Sequence, residues 1–287
     1  MPPNEKPEIS FIIVNYNGEA FIQQCFNSIL SQKISVPYEV IVVDNNSSDN
    51  SVELIKTFSS FKILVNKENL GFTKANNQAV KIAQGNYIFL LNNDTVLYEN
   101  ALEVLYQSIR SIDNVGAIAP KLLNEDLSLQ VAGSFFGRIQ YMTKNPKKVG
   151  FLSCCAMLIR KDYFIKIGMF DEAFFFYNDD IDLSKRILKS GKLLIYEPNS
   201  KVIHFGGLST KFRKIESVVA GYKGGLYLCF KHYPLFVFWV YRCLLCLDCI
   251  IRISIYYLLN LINKKYNKHF KGFSEILKFC MKEKFIK

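Results

Sequence analysis

Four consecutive apolar runs in the first hundred residues each stop on a cluster of Asn, Asp and Ser. Ile9–Val14 ends in Asn15-Tyr16-Asn17-Gly18, and Glu39–Asp44 runs into Asn45-Asn46-Ser47-Ser48-Asp49. Phe61–Val65 leads to Asn66 through Gly71, and Tyr87–Leu91 ends in Asn92-Asn93-Asp94-Thr95. Near-continuous apolar runs of this length are expected for strands covered on both faces. Val115–Ala119 is a fifth such run, and helical patterns fall between them near 19–31, 50–59, 72–84 and 99–111. The alternation predicts an α/β fold with a mainly parallel sheet wrapped by helices. Ligands of such sheets bind beyond the carboxyl ends of the strands. Here that edge is crowded with Asn, Asp and Ser.

Turn formation and helix capping explain many of these polar residues, notably Ser47, Ser48, Asp49 and Asn100. They explain Asp94 less well, because it follows the fourth run with no glycine turn. Neither GxGxxG nor GxxxxGK[ST] occurs, so the common nucleotide-phosphate loops are missing. Phosphates bound here would need another positive charge, and a carboxylate-held divalent cation is the simplest source.

The chain continues less regularly. Gly133 to Gly150 reads as loop, Phe151–Ile159 as a strand with small residues Ser153, Cys154, Cys155 and Ala156. Asp171 to Arg186 is an aromatic run, an acidic cluster and a helix start. Asp179, Asp180 and Asp182 repel one another there, which favours a raised pKa on one of them. The bland reading makes Asn178 an N-cap and the acids first-turn residues that favour the helix dipole. Leu193–Tyr196 and Lys201–Phe205 read as two short strands, the second ending in His204 and the glycine pair Gly206-Gly207.

The net charge of +11 is unevenly placed. Residues 201–287 hold 16 Lys and Arg against 4 Asp and Glu, whereas residues 1–200 hold 20 against 21. From about residue 217 the pattern is helical, and Leu235 to Ile262 is strongly apolar but interrupted by Arg242, Asp248 and Arg252. No uninterrupted window reaches the ~20 residues of a spanning helix. The coincidence of apolar and basic character predicts a membrane-surface helix or helix pair, with its cations toward headgroups and Trp239, Tyr and Phe toward acyl chains, rather than a nucleic-acid partner. A helix packed on the domain itself is the other reading. Among the 8 cysteines, Cys243, Cys246 and Cys249 have ligand-like spacing, but in an apolar helix without nearby His they read as small buried hydrophobes. The polar start MPPNEKPE lacks the apolar core of a secretory signal, so a reduced, cytoplasmic chain is expected.

The ordered series SFIIVNYNG, VIVVDNNSSDNS, NLGFTKANNQA and YIFLLNNDT, followed by FDEAFFFYNDDIDLSKRILKSGKLLIYEPNSKVIHFGG, resembles family-2 glycosyltransferases, and within them a bacterial rhamnosyltransferase-like branch. The resemblance covers roughly residues 8–232. It implies a GT-A three-layer α/β sandwich over residues 1–216 and leaves 217–287 as a basic, apolar helical extension. It implies an inverting hexosyltransferase of cell-surface polysaccharide synthesis. The donor would be a dTDP- or UDP-linked sugar, rhamnose or similar, and the acceptor a glycan or lipid-linked glycan, met at the inner face of the plasma membrane. Asp44 would bond the nucleotide base, with Asn15, Tyr16, Asn17, Asn45, Gly71 and Asn93 around the nucleotide. Asp94 and His204 would hold Mg²⁺ or Mn²⁺. Asp180 would be the catalytic base, supported by Asp179 and Asp182. Four positions depart from the family pattern: Asn92 stands for the first acid of the DxD motif, Asp179 for the commoner Glu, and Cys154 and Cys155 for Gly and Ala. The competing readings are a sugar-nucleotide nucleotidyltransferase and a non-catalytic, membrane-associated nucleotide-sugar binder.

Overall fold

A computed structural model of the chain describes residues 6–131, 139–206 and 214–283. Gly207 and part of the expected loop from Gly133 lie outside the described residues. The described chain forms two compact units, Met1–Glu172 with Asp180–Ser209, and Ala173–Asp179 with Thr210–Lys287.

The first unit is built on one sheet. Its strands are β1 (Ile9–Asn15), β2 (Tyr38–Asp44), β3 (Lys62–Val65), β4 (Tyr87–Asn92), β5 (Thr95–Leu97), β6 (Val115–Leu123), β7 (Lys147–Val149), β8 (Ala156–Arg160) and β9 (Leu193–His204). The order across the sheet is β3-β2-β1-β4-β8-β6-β9-β5, with β7 also on β9. Helices α1 (Glu19–Leu30), α2 (Ser51–Lys56), α3 (Phe72–Ile82) and α4 (Ala101–Ser111) fall where the periodicity placed them. Short α5 (Lys161–Lys166) and α6 (Asp179–Lys189) follow.

Alternation along β1 sends Ile9, Phe11 and Ile13 to one side, where they pack with Ile22, Phe26, Leu102 and Leu105 of α1 and α4. Ile12 points to the other side, among Ala75, Ala79, Leu183 and Ile187 of α3 and α6. Both faces are therefore covered, which gives three layers and explains why the strands read as unbroken apolar runs.

The sheet is less parallel than the sequence suggests. β1 to β4 pair in parallel, but β8 runs antiparallel between β4 and β6, and β5 and β7 run antiparallel to β9. The expected strand Phe151–Ile159 begins only at Ala156, because the backbone of Leu152 is bonded by the Ser184 hydroxyl of α6 instead of by a strand. The two expected strands at 193–196 and 201–205 are one continuous strand, β9. Its register against β6 shifts between Pro120 and Lys121. Proline lacks the N–H that an unbroken ladder needs there.

The second unit holds α7 (Lys214–His232), α8 (Leu235–Ile262) and α9 (Asn267–Lys282), packed around Leu226, Phe230, Phe238, Cys249, Phe273 and Ile276. Among the described residues no helix is long and apolar enough to cross a membrane. The charges that interrupt α8 find partners within the unit, although the Arg252 and Asp248 side chains stay partly exposed. Arg242 donates to the carbonyls of Cys280 and Glu283, and Arg252 donates to Asp248, which also accepts from the Tyr222 hydroxyl. The exposed positions of α8 are then apolar, aromatic or Cys, with Ser254 the exception. Cys243 is one of these exposed positions, whereas Cys249 is buried, so the three-residue spacing spreads the cysteines between surface and core.

Candidate active site

Parallel pairing aligns the ends of three strands. Asn15 lies opposite Asp44, and Val14 lies opposite Asn92. Asn15 is fully buried and ties the edge together: its Nδ2 donates to Asp44 Oδ1 at 2.8 Å and to Ser47 Oγ at 3.1 Å, and its Oδ1 accepts from Asn93 Nδ2 at 2.7 Å. Asp44 also accepts from the Ser47 hydroxyl at 2.6 Å and the Ser47 N–H at 2.9 Å. Gly18 closes over this network. A Cβ there would stand 2.2 Å from both Asn15 Oδ1 and Asn93 Nδ2, so any side chain would break the bond between them.

The neighbouring residues shape the loops. Asn17, at φ 51°, accepts from the Ser48 N–H at 2.7 Å. Asn45 Nδ2 donates to the Gly71 carbonyl at 3.0 Å, and Asn45 Oδ1 accepts from Asn66. Gly71 sits at φ 83°, a region open mainly to glycine, and its N–H donates to Asn69 Oδ1. Asn45 and Gly71 thus pair with each other and fix the turn into α3. Tyr16 follows Asn15 at the same edge, half-buried.

A second cluster forms where β4 ends. Three-residue β5, which the sequence pattern did not reveal, pairs Thr95 with His204. The Phe205 N–H donates to the Asp94 carbonyl at 3.0 Å. These two facts bring the Asp94 carboxylate and the His204 imidazole together, with Oδ1 3.4 Å from Nε2. Asn92 Nδ2 lies 3.4 Å from the same nitrogen. Gln130, which no sequence signal singled out, orients the ring. Its Nε2 donates to the His204 carbonyl and to Asn124 Oδ1, so its Oε1 is the acceptor facing His204 Nδ1 at 2.7 Å. Nδ1 therefore carries a proton and Nε2 faces Asp94. Burial opposes the imidazolium, but the Cys155 sulfur and Asp94 outweigh it and push His204 up to about 11. The pocket thus favours positive charge on its Asp94 side.

One carboxylate oxygen and one correctly presented imidazole nitrogen suit Mg²⁺ or Mn²⁺. The Gln130 contact is the kind of outer bond that orients a metal-binding His. No cluster of three His, Cys, Asp or Glu able to hold a metal occurs among the described residues. Two protein ligands leave the other positions to phosphate oxygens and water. Gln130→Leu removes the partner of Nδ1 and is expected to weaken Mn²⁺ binding about 10–100-fold. A Mn²⁺ titration followed by electron paramagnetic resonance would measure the loss.

Asp180 stands in the first turn of α6, half-buried, and accepts from the Ile181 N–H at 2.8 Å. Burial pushes its carboxyl up to about 6, against the lowering effect of backbone N–H groups. The rise thus comes first from desolvation, whereas the sequence had suggested repulsion among three acids. Tyr141 feels the Asp180 charge and stacks edge-on with Tyr196 at 5.1 Å. Asp182 has a different setting. It is fully buried and accepts from Arg186 Nε at 2.8 Å, while the other guanidinium nitrogens hold the carbonyls of Ile167 and Met169. Asp179 is buried. Asn178 lies at φ 65°, outside the extended region where N-caps sit, and its amide donates to the Gly221 carbonyl at 3.0 Å.

Ser184 on α6 bonds Leu152, and three residues on, Cys155 meets His204. The segment 152–155 therefore links the helix carrying Asp180 to the Asp94–His204 pair.

Known proteins resemble the chain in sequence and in fold. N-acetylglucosaminyl-diphospho-decaprenol L-rhamnosyltransferase of Mycobacterium tuberculosis is 25% identical over 237 residues, covering 69% of this chain and 76% of that one. The crystal structure of S. aureus TarS 1-349 in complex with UDP superposes with a TM-score of 0.56 at 18% identity, covering 76% of this chain and 65% of that one. The crystal structure of GalNAc-T7 with UDP, GalNAc and Mn²⁺ gives a TM-score of 0.56 at 18% identity, covering 69% of this chain and 43% of that one. The chain thus spans less than two thirds of either solved structure, and the likeness establishes the GT-A fold. Residues 10–168 match the sequence pattern of Glycosyl transferase family 2, and the chain belongs to that family.

Proposed function

We propose that this glycosyltransferase is a metal-dependent, inverting hexosyltransferase. It takes rhamnose or a similar hexose from a dTDP- or UDP-linked donor and adds it to a lipid-linked glycan in cell-surface polysaccharide synthesis. The observation that carries the reading is the Asp94–His204 pair, 3.4 Å apart beside the strand ends. The mycobacterial relative, named for rhamnosyl transfer onto a decaprenol-linked sugar, supports the choice of donor and acceptor.

Glycosyl transfer has two charge problems. Negative charge develops on the departing nucleoside diphosphate, and the attacking hydroxyl must lose a proton. Asp94 and His204 would hold Mg²⁺ or Mn²⁺, whose Lewis acidity stabilises the departing diphosphate. Asp180 takes the hydroxyl proton, and a carboxylate with a pKa about 6 suits that task near neutral pH. Attack from the side opposite the leaving group inverts the sugar carbon. Asn15, Asp44 and Asn93 form the rigid wall on which the nucleotide rests, with Tyr16 and Asn17 beside it. We assign residues 1–216 to catalysis and 217–287 to peripheral attachment at the inner face of the plasma membrane. The apolar outer face of α8 and the exposed Lys268, Lys271, Lys278 and Lys282 of α9 support that attachment.

The test is a screen of nucleotide sugars with Mg²⁺ or Mn²⁺, read by released nucleoside diphosphate. Release from a dTDP- or UDP-linked hexose that stops on chelation is the expected result. Pyrophosphate release from a nucleoside triphosphate, with no turnover of any nucleotide sugar, would point to a nucleotidyltransferase instead.

A further inference from the structure

The three-helix unit contains a cleft of about 850 Å³ between α7 and α8. Tyr177, Tyr222, Tyr241, Val218, Leu244 and Leu245 wall it. Gly221 and Gly225 of α7 also face it. Its lining includes one carboxylate, Asp248, which is already paired with Arg252 and the Tyr222 hydroxyl at 2.9 Å each. Asn178 is likewise engaged with the Gly221 carbonyl. Ser217 and the tyrosine hydroxyls complete the polar part of the lining, and the remaining aromatic and aliphatic wall favours an apolar chain, which gains from each methylene it buries.

Two further observations narrow the occupant. Leu244 lines the cleft and is also 60% exposed on the apolar outer face of α8, beside Trp239, Val240 and Leu247. The mouth of the cleft thus opens on a surface that suits lipid, from which a chain can enter without crossing water. Tyr177 and Asn178 immediately precede the acidic start of α6. Both adopt the left-handed region, at φ 69° and 65°. Consecutive non-glycine residues in that region are uncommon and cluster at functional sites. The turn is held against α7 by the Asn178–Gly221 bond and by Gly224, where a Cβ would stand 2.8 Å from Asn178 Nδ2. Chain connectivity therefore places the cleft wall a few residues before Asp180.

We propose that this cleft receives the isoprenoid chain of a lipid-diphosphate-linked acceptor. The site rests on the transferase reading above and adds to it where the lipid goes. Apolar walls take the branched chain. The basic excess of residues 201–287, 16 cations against 4 anions, favours the diphosphate-bearing lipid over a neutral one.

The test uses the full chain in detergent and a diazirine-tagged farnesyl diphosphate as the photoreactive probe. Labelling is expected on peptides containing Tyr177, Tyr222 or Tyr241. Gly221→Leu fills the cleft: its Cβ would meet Tyr177 Cδ2 at 3.7 Å, an ordinary contact, and the helix gains a better former. It is expected to cut labelling at least tenfold while metal-dependent release of nucleoside diphosphate stays at the wild-type rate. Leu244→Ser, at the exposed mouth, is expected to cut labelling several-fold. Labelling that maps elsewhere, or persists in both variants, would overturn the assignment. So would equal competition by a diphosphate without the prenyl chain. Labelling as expected, with no turnover of any nucleotide sugar, would overturn the transferase reading and leave the lipid cleft standing.

Discussion

Asp180→Asn is expected to lower kcat for transfer by about 10²–10⁴-fold, to leave donor affinity unchanged and to raise the melting temperature. The first effect follows from losing the group that accepts the acceptor's proton. The third follows from burial, which holds the folded carboxyl near pKa 6. An unfolded aspartate titrates at about 4. Folding therefore takes up a proton between these values. The resulting stabilisation is full below about pH 4 and is lost as pH rises through 6. At pH 8 the charged side chain opposes folding by about 1–2 kcal/mol, after discounting for its partial exposure. The Asn variant escapes that cost, so its advantage at pH 8 should vanish by about pH 4. Wild-type transfer should also fall on the acid side of an apparent pKa near 6. Thermal melts at both pH values, with a pH profile of kcat, check all three effects. Unchanged kcat in the variant would remove Asp180 from the chemistry.

Arg186→Met is expected to cost about 3–5 kcal/mol, the largest stability loss anticipated for any single change here. Asp182 is fully buried, and Arg186 is its partner at 2.8 Å. Without the guanidinium, the buried carboxylate loses the cation bonded to it at 2.8 Å, and the carbonyls of Ile167 and Met169 lose the Arg186 donors. A domain is typically stable by only about 5–15 kcal/mol, so this loss approaches global unfolding. Adding Asp182→Leu should recover part of it, because an apolar pair removes the stranded charge although the two carbonyls remain without donors. Urea denaturation of both single variants and the double variant measures the coupling. A cost under about 1 kcal/mol for Arg186→Met would mean that the pair is as weak as a surface one.

The framework of the fold was legible because physics acts there over long stretches. Strands β1 to β4 and helices α1 to α4 announce themselves as unbroken apolar runs and 3.6-residue stripes. The places where the pattern misled are local substitutions of one bonding partner for another. Ser184 takes the backbone of Leu152, so β8 starts late. Consecutive Pro120 and Lys121 of β6 face Glu197 and Lys201 of β9, so the residues between the latter bulge and β9 runs on as one strand instead of two. The spacing of Asp182 and Arg186 at i and i+4 was a readable sign that this acid had a structural partner.

The candidate site was legible in its acids and in His204 through their likeness to a family pattern, not through their spacing. Three-residue β5 is too short to show periodicity, yet it sets Asp94 against His204. Gln130 lies in an irregular segment with no motif, and its role emerges only from two hydrogen bonds to one histidine. The family resemblance implies Asn45 and Gly71 as nucleotide contacts. Their mutual bond shows what the same residue types also do at a strand end, which is to hold a turn.

The most direct measurement is pulsed electron paramagnetic resonance of Mn²⁺ bound with the nucleotide sugar. An imidazole-nitrogen modulation that disappears in His204→Gln, together with loss of Mn²⁺ affinity in Asp94→Ala, is the expected result. Wild-type transfer without nitrogen coupling, and undiminished by either change, would contradict the placing of the metal between Asp94 and His204.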